Sequence, residues 1–343
     1  MLRAQRLRLA VLAAALLAMP AVLSAQEKRP LTLADYGPWN RINQVALSPA
    51  GKWMAYAQQP NDGDATFFLK ELDGTAVHQA TNGAGAAFSD DGRWAAFLAS
   101  PPEEDAEKLR KEKKPVPRTL HLVDLRGGTR TEEAGVRGFT FSKGGRFLAV
   151  HRDRSDADAK HTGSDLILRD LAQGTVLSLG NVAEYAFNEG GTLLAYLVDA
   201  AEKAGNGLYL VSPADGRIRS LSTGADRFED LTWSEAQDDV AALRGEKPEG
   251  KMLRANKLVV VRSLDAAAPR TTVYDPAADA AFPAGFVLSE LAPTCWTKDG
   301  ARVVLGIKEQ DDSVKVDPAE EKANVDVWHW ADERVQSVQM VQA

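Results

Sequence analysis

One cysteine, five histidines and a shortage of positive charge constrain this chain of 343 residues before any pattern in it is read. The single thiol, Cys295, has no partner for an internal disulfide, so the folded state must be held by its apolar core. It stands beside Trp296 near the expected start of a strand, a setting for an unreactive thiol. Lys and Arg number 41 against 48 Asp and Glu, a formal charge of −7. Phosphate recognition needs clustered positive charge, so no nucleic-acid partner is expected. Long apolar runs are missing too, with one exception: Arg3, Arg6 and Arg8 precede an uncharged stretch from Leu9 to Leu23, and Ser24 and Ala25 follow. Residues 1–25 read as a secretory signal peptide cut near Ala25. Their apolar stretch contains Pro20 and falls short of the roughly 20 residues a bilayer span needs, so no membrane span is expected after cleavage. With no cysteine near that position, a lipid anchor is not indicated, and removal of the segment takes the formal charge to −10.

Catalytic signatures are equally scarce. No serine has glycine two residues before and two after it, so the nucleophile elbow of the α/β-hydrolases is absent. There is no HExxH, no P-loop and no GxGxxG between a strand and a helix. His151 and His161 flank a loop with Asp153, Asp156 and Asp158, but the loop lacks the glycine and distal glutamate of a calcium site and reads as a solvated insertion. His78, His121 and His329 fall on or beside expected strands and read as surface or packing residues. The run Lys108 to Lys114 is balanced by Glu103, Glu104, Asp105, Glu107 and Glu112, which predicts an exposed helical insertion. These readings assign no catalytic residue, no metal ligand and no cofactor.

What the chain has in abundance is a repeat. "LSPAGKWMAY" at 47–56 returns as "FSDDGRWAAF" at 88, "FSKGGRFLAV" at 141, "FNEGGTLLAY" at 187, "WSEAQDDVAA" at 233 and "WTKDGARVVL" at 296. Each copy opens on an aromatic or Leu, then Ser, Asn or Thr, and five of the six place Gly fifth, which is hairpin-turn chemistry. In the fifth copy Gln237 occupies that position, which predicts a side chain forced into left-handed backbone and a strained turn. The ninth position is Ala55, Ala96, Ala149, Ala195 and Ala241, then Val304, so something is expected to pack too closely there for a large side chain. A second element, an apolar strand with its turn, is expected after each hairpin from Phe67, Leu120, Leu166, Leu208, Leu258 and Val325, followed by a further short strand such as "RIRSLST" from Arg217. Four short antiparallel strands per 40 to 50 residues predict an all-β propeller of about six recognisable blades. Polar insertions at 101–118, 152–165 and 309–324 fall between the second and third strands of their blades.

The ordered segments "LTLADYGPWNRINQVALSPAGKWMAYA", "AEKLRKEKKPVPRTLHLVDL", "GSDLILRDLAQG" and "VDVWHWADERVQSVQ" resemble the N-terminal propeller region of exported bacterial prolyl oligopeptidase family serine peptidases. The resemblance implies a seven- or eight-bladed propeller covering a C-terminal α/β-hydrolase domain, with short peptides as substrates and a periplasmic or extracellular location. Residues 26–343 then form a propeller domain ending before the remaining blades and the hydrolase domain. No triad residue can be placed on this sequence. The glutamate pairs Glu103-Glu104, Glu132-Glu133 and Glu320-Glu321 lack the aromatic-rich context of the paired glutamates that hold the substrate amine in a subset of the family, the dipeptidyl aminopeptidases. The alternative reading is a stand-alone TolB-like periplasmic binding propeller that acts through protein contacts on its rim.

Overall fold

Each described copy of the repeat folds into a hairpin, and the first five belong to complete blades. The computed structural model of the protein describes residues 30–154, 160–264, 266 and 268–313. Blade 1 is β1 (Asn40–Leu47), β2 (Trp53–Pro60), β3 (Thr66–Glu71) and β4 (Val77–Thr81) in sequence order. Blade 2 is β5 (Gly83–Phe88), β6 (Trp94–Ala99), β7 (Thr119–Asp124) and β8 (Arg130–Ala134). Blade 3 comprises β9 (Val136–Phe141), β10 (Phe147–Arg152), β11 (Ser164–Asp170) and the first part of β12 (Val176–Phe187). The second part of β12 opens blade 4, which continues through β13 (Leu194–Val198), β14 (Gly207–Ser212) and β15 (Arg217–Thr223). Blade 5 is β16 (Arg227–Trp233), β17 (Val240–Glu246), β18 (Ala255–Arg262) and β19 (Arg270–Tyr274). Of the sixth copy, β20 (Phe286–Leu288) pairs with β23 (Ile307–Glu309), and β21 (Cys295–Trp296) with β22 (Val303–Val304). The strand expected from Val325 and the segment 1–25 lie outside the described residues. The fold is an all-β propeller.

The polar second position works as its chemistry predicts. The N–H of Trp53, Trp94 and Phe147 donates to the hydroxyl oxygen of Ser48, Ser89 and Ser142 at 2.9–3.0 Å. Thr192 and Leu193 N–H groups do the same to Asn188 Oδ1, and Arg302 N–H to Thr297 Oγ1. All five fifth-position glycines have positive φ. A Cβ on Gly145 would also sit 2.7 Å from Ser89 Cβ, because the turn of one blade rests on the turn of the blade before it.

Gln237 corrects the expectation of strain: it is not among the residues with positive φ. Here Asp239 N–H turns back to Gln237 O at 2.8 Å, Ala236 N–H takes Ser234 Oγ, and Asp238 accepts Asn188 Nδ2 of blade 4 at 2.8 Å. The fifth turn therefore follows a different path and needs no left-handed residue at that position.

Five apolar cores lie one between each successive pair of blades. Residues along a second strand alternate between them: Leu148 and Val150 face blade 2, whereas Ala149 faces blade 4. Ala55, Ala96, Ala149, Ala195 and Ala241 are all fully buried in this way. Val304, in the same position of the last described hairpin, is 52% exposed, consistent with its small neighbours having a blade against them and Val304 having none among the described residues. The aromatic first position adds a polar tie. Trp233 Nε1 donates to Ala186 O at 2.9 Å and Trp296 Nε1 to Thr232 O at 3.4 Å, each the carbonyl just before the first position of the preceding blade.

Candidate functional site

First strands of successive blades lie against each other, as with β1 and β5, β12 and β16, and β16 and β21, so they form the inner row of the ring. β1, β5, β12 and β16 are interrupted rather than regular. Register shifts fall between Asn43 and Ala46, Ala84 and Ala87, Val182 and Glu184, and Glu229 and Thr232. A bulge turns backbone N–H groups out of the ladder and toward the neighbouring blade. In blades 1, 4 and 5 the side chain three residues before the repeat meets such groups. Gln44 Oε1 accepts from Gly85 N–H at 3.2 Å. Glu184 accepts from Asp230 N–H at 3.1 Å and Leu231 N–H at 3.0 Å, and Asp230 Oδ2 accepts from Thr294 N–H at 2.6 Å.

Glu184, Glu229, Asp230 and Glu290 make the inner row of blades 4 to 6 acidic. Burial pushes the Glu184 carboxyl up; the two backbone N–H donors oppose this, and the Asp230 and Glu229 charges add to it. Glu229 Oε2 pairs with Arg254 at 2.6 Å and Arg227 at 3.4 Å, while its Oε1 is buried without a hydrogen-bond partner. Glu290 takes Arg254 N–H at 3.1 Å and Asn256 Nδ2 at 3.0 Å. Both Glu184 oxygens are occupied, so this carboxylate acts first as a clamp between blades. These acidic side chains are taken up by N–H and guanidinium donors of their own and neighbouring blades.

On the side of the insertions, loops of blades 3, 4 and 5 enclose a cleft of about 650 Å³, lined by Lys160, Lys203, Arg227, Lys247 and Arg254 together with Asp199, Glu202 and Glu246. The insertion of blade 2 carries α1 (Glu103–Lys111), an exposed helix with Glu104–Lys108 and Glu107–Lys111 ion pairs, in agreement with its charge pattern. The insertion of blade 3 is pinned to blade 4 by Asp199, which accepts from Thr162 N–H and Oγ1 at 2.7 Å each.

The structure does not join the two histidines of that insertion. His151 is buried in β10 with Nε2 2.9 Å from Val182 O, and His161 lines the cleft. Asp156 and Asp158 lie outside the described residues, as do His329 and Glu320-Glu321. Among the described residues, no group of three His, Cys, Asp or Glu side chains is placed to hold a metal ion. His121 is a packing residue, stacked on Phe97 at 4.8 Å and accepting from Arg130 Nε at 3.0 Å; His78 sits 6.0 Å from the Trp53 ring. Glu103 pairs with Arg110, and Glu132 and Glu133 pair with arginines of blades 2 and 3. Cys295 starts β21 and is exposed. Nothing in the sequence pattern announced the inner row, because the position varies among Gln, Gly, Glu, Asp and Pro, and only the bulges give Gln44, Glu184 and Asp230 a common task.

No family model matches the chain, and no curated protein matches it by sequence. Solved propellers do resemble it. The β-propeller domain of the trilobed protease from Pyrococcus furiosus is 13% identical, with a TM-score of 0.39 over 82% of this chain and 85% of that one. One of two prolyl endopeptidases analysed for inter-domain dynamics is 12% identical, with a TM-score of 0.37 over 81% of this chain and 51% of its own length. TolB from Acinetobacter baumannii is 16% identical, with a TM-score of 0.32 over 65% and 52%. The chain thus spans about half the length of the latter two. At these values the likeness adds nothing to the architecture that the sheets show by themselves. Among the described residues, no helix is long and apolar enough to cross a membrane.

Proposed function

We propose that this chain is the propeller portion of an exported prolyl oligopeptidase-like serine peptidase, and that it admits short peptides to a C-terminal α/β-hydrolase domain outside this sequence. The observation that carries the reading is the ordered resemblance running from "LTLADYGPWN" to "VDVWHWADERVQ". Polar insertions on blades 2 and 3, at 101–118 and 152–165, supply material for a rim that restricts entry. On this reading residues 1–25 act as a secretory signal and the mature protein works in the periplasm or outside the cell. Chemistry on the peptide belongs to the partner domain, since no nucleophile elbow occurs in residues 1–343.

Sequencing the reading frame past codon 343 and assaying its product tests this. The expected result is a continuing frame with a Gly-x-Ser-x-Gly motif. Its product should react with fluorophosphonates and cleave short peptides but not folded proteins, whereas residues 26–343 alone do neither. A stop codon after Ala343 beside cell-envelope genes would overturn the reading in favour of a TolB-like binding propeller.

A further inference from the structure

The repeat breaks its own rule in blade 4. The last residue of each third strand falls in register with the seventh position of the hairpin: Glu71 opposite Trp53, Asp124 opposite Trp94, Asp170 opposite Phe147. In blades 2 and 3 the arginine at the sixth position crosses to that carboxylate, Arg93 to Asp124 at 3.1 Å and Arg146 to Asp170 at 2.7 Å. Each guanidinium also lies over the aromatic ring beside it, at 4.9 Å from Trp94 and 4.8 Å from Phe147. Blade 5 keeps a pair with the signs reversed, Arg262 to Asp239 at 3.0 Å. Blade 4 has Thr192 and Leu193 where the arginine and aromatic stand, and Ser212 where the aspartate stands. Two short hydroxyl side chains replace a guanidinium and a carboxylate.

The space they leave is a cleft of about 490 Å³ between blades 4 and 5, within the size range of small-ligand sites. Its floor is apolar, with Leu210 and Leu264 fully buried and Leu193 beside them. Arg217 and Arg219, two residues apart on β15, line one wall. Arg219 Nη2 donates to Leu264 O at 2.6 Å, which orients the guanidinium and leaves its other N–H groups for a ligand. Arg217 is held from outside the cleft by Asp215 at 3.1 Å. Asp238 is the acidic lining residue, and its Oδ1 is engaged by Asn188. With Asp215 on Arg217 and Asp238 in the lining, the charges balance, and among the described residues Arg219 is the guanidinium of the cleft without a carboxylate partner, with Thr192 and Ser212 also lining the space. A guanidinium fork matches a carboxylate in shape and charge.

We propose that this cleft binds a small carboxylate, of the size of an amino acid or dipeptide, with the acid on Arg219 and Arg217 and the apolar part over Leu193 and Leu210. The site is independent of the peptidase reading, because it is built wholly from blades 4 and 5. Saturation-transfer NMR on residues 26–343 tests it, with alanyl-alanine, its C-terminal amide and succinate as probes. The acids should bind saturably and the amide at least tenfold more weakly. Arg219→Gln should weaken the acids about tenfold. The double substitution Thr192→Arg with Ser212→Asp rebuilds the ion pair of blades 2 and 3, fills the cleft and should abolish binding without lowering the melting temperature. If neither acid binds saturably, or if binding is unchanged in the folded double variant, the proposal is overturned.

Discussion

Single residues decide where this fold tolerates change. With ordinary backbone at Gln237, glycine there only adds freedom to the unfolded chain, so Gln237→Gly should destabilise by about 0.4–1 kcal/mol in urea unfolding. A rise in stability would show that the turn is strained after all. Ala149 has no spare volume between blades 3 and 4, and Ala149→Leu should cost about 1–3 kcal/mol. Two buried histidines set a pH limit. Burial lowers the His121 pKa, and the Arg130 charge lowers it further against the opposing pull of Glu132. Burial likewise lowers His151. Below a pH of about 6.5 the unfolded chain takes up these protons while the folded chain does not. Stability should therefore fall as pH drops from that value toward the folded-state pKa values. Urea midpoints at pH 7.5 and 5.5 measure this, and His151→Gln, if it folds, should flatten the difference.

At the level of the element, the unit of stability is the hairpin with its polar second residue. Ser142 Oγ accepts from Phe147 N–H at 3.0 Å in a buried turn, so Ser142→Ala should cost roughly 1–3 kcal/mol by leaving that donor unmet. An effect near zero would mean that water replaces the hydroxyl. The Arg146–Asp170 pair ties the hairpin of blade 3 to its third strand. Burial pushes the Asp170 carboxyl up, but Arg146 and the N–H groups of Gln173 and Ala172 outweigh it and hold the pKa below its ordinary value. Its contribution is present above a pH of about 4 and is lost as pH falls through the folded-state value.

Across the whole molecule, stability passes from blade to blade through the five cores, and the first blade has one face outside that series. Met54, Tyr56 and Phe68 are only half-buried, the two rings stacked at 5.0 Å, and Ile42, Val45 and Leu47 of β1 are exposed. β1 pairs only with β2 among the described residues, and exposed apolar surface beside an unpaired strand edge promotes association. Residues 26–343 should sediment with a concentration-dependent mass, and Val45→Lys with Leu47→Lys should reduce it. A monomer at high concentration with one sharp melting transition would show that this face is covered.

Much of this architecture is legible in the residues themselves. Ser or Asn in second place, Gly in fifth and Ala in ninth are local statements about a turn and a close contact, and they specify hairpins, blade number and the faces that pack. The charge balance of residues 103–114 likewise identifies an exposed helix, because i to i+4 pairing is local. Gln237 shows the limit: its turn takes a path of its own in which Asp238 accepts from Asn188, 50 residues away, and no neighbouring residue signals that. The same holds for Glu184, whose partners are backbone N–H groups of the next blade, and for Thr192 and Ser212, which are unremarkable until two other blades show an arginine and an aspartate in their places. Local pattern determined the repeating unit because each unit closes its own hydrogen bonds. Clamps and clefts were decided only by the tertiary structure, because they form between units whose spacing along the chain is irregular.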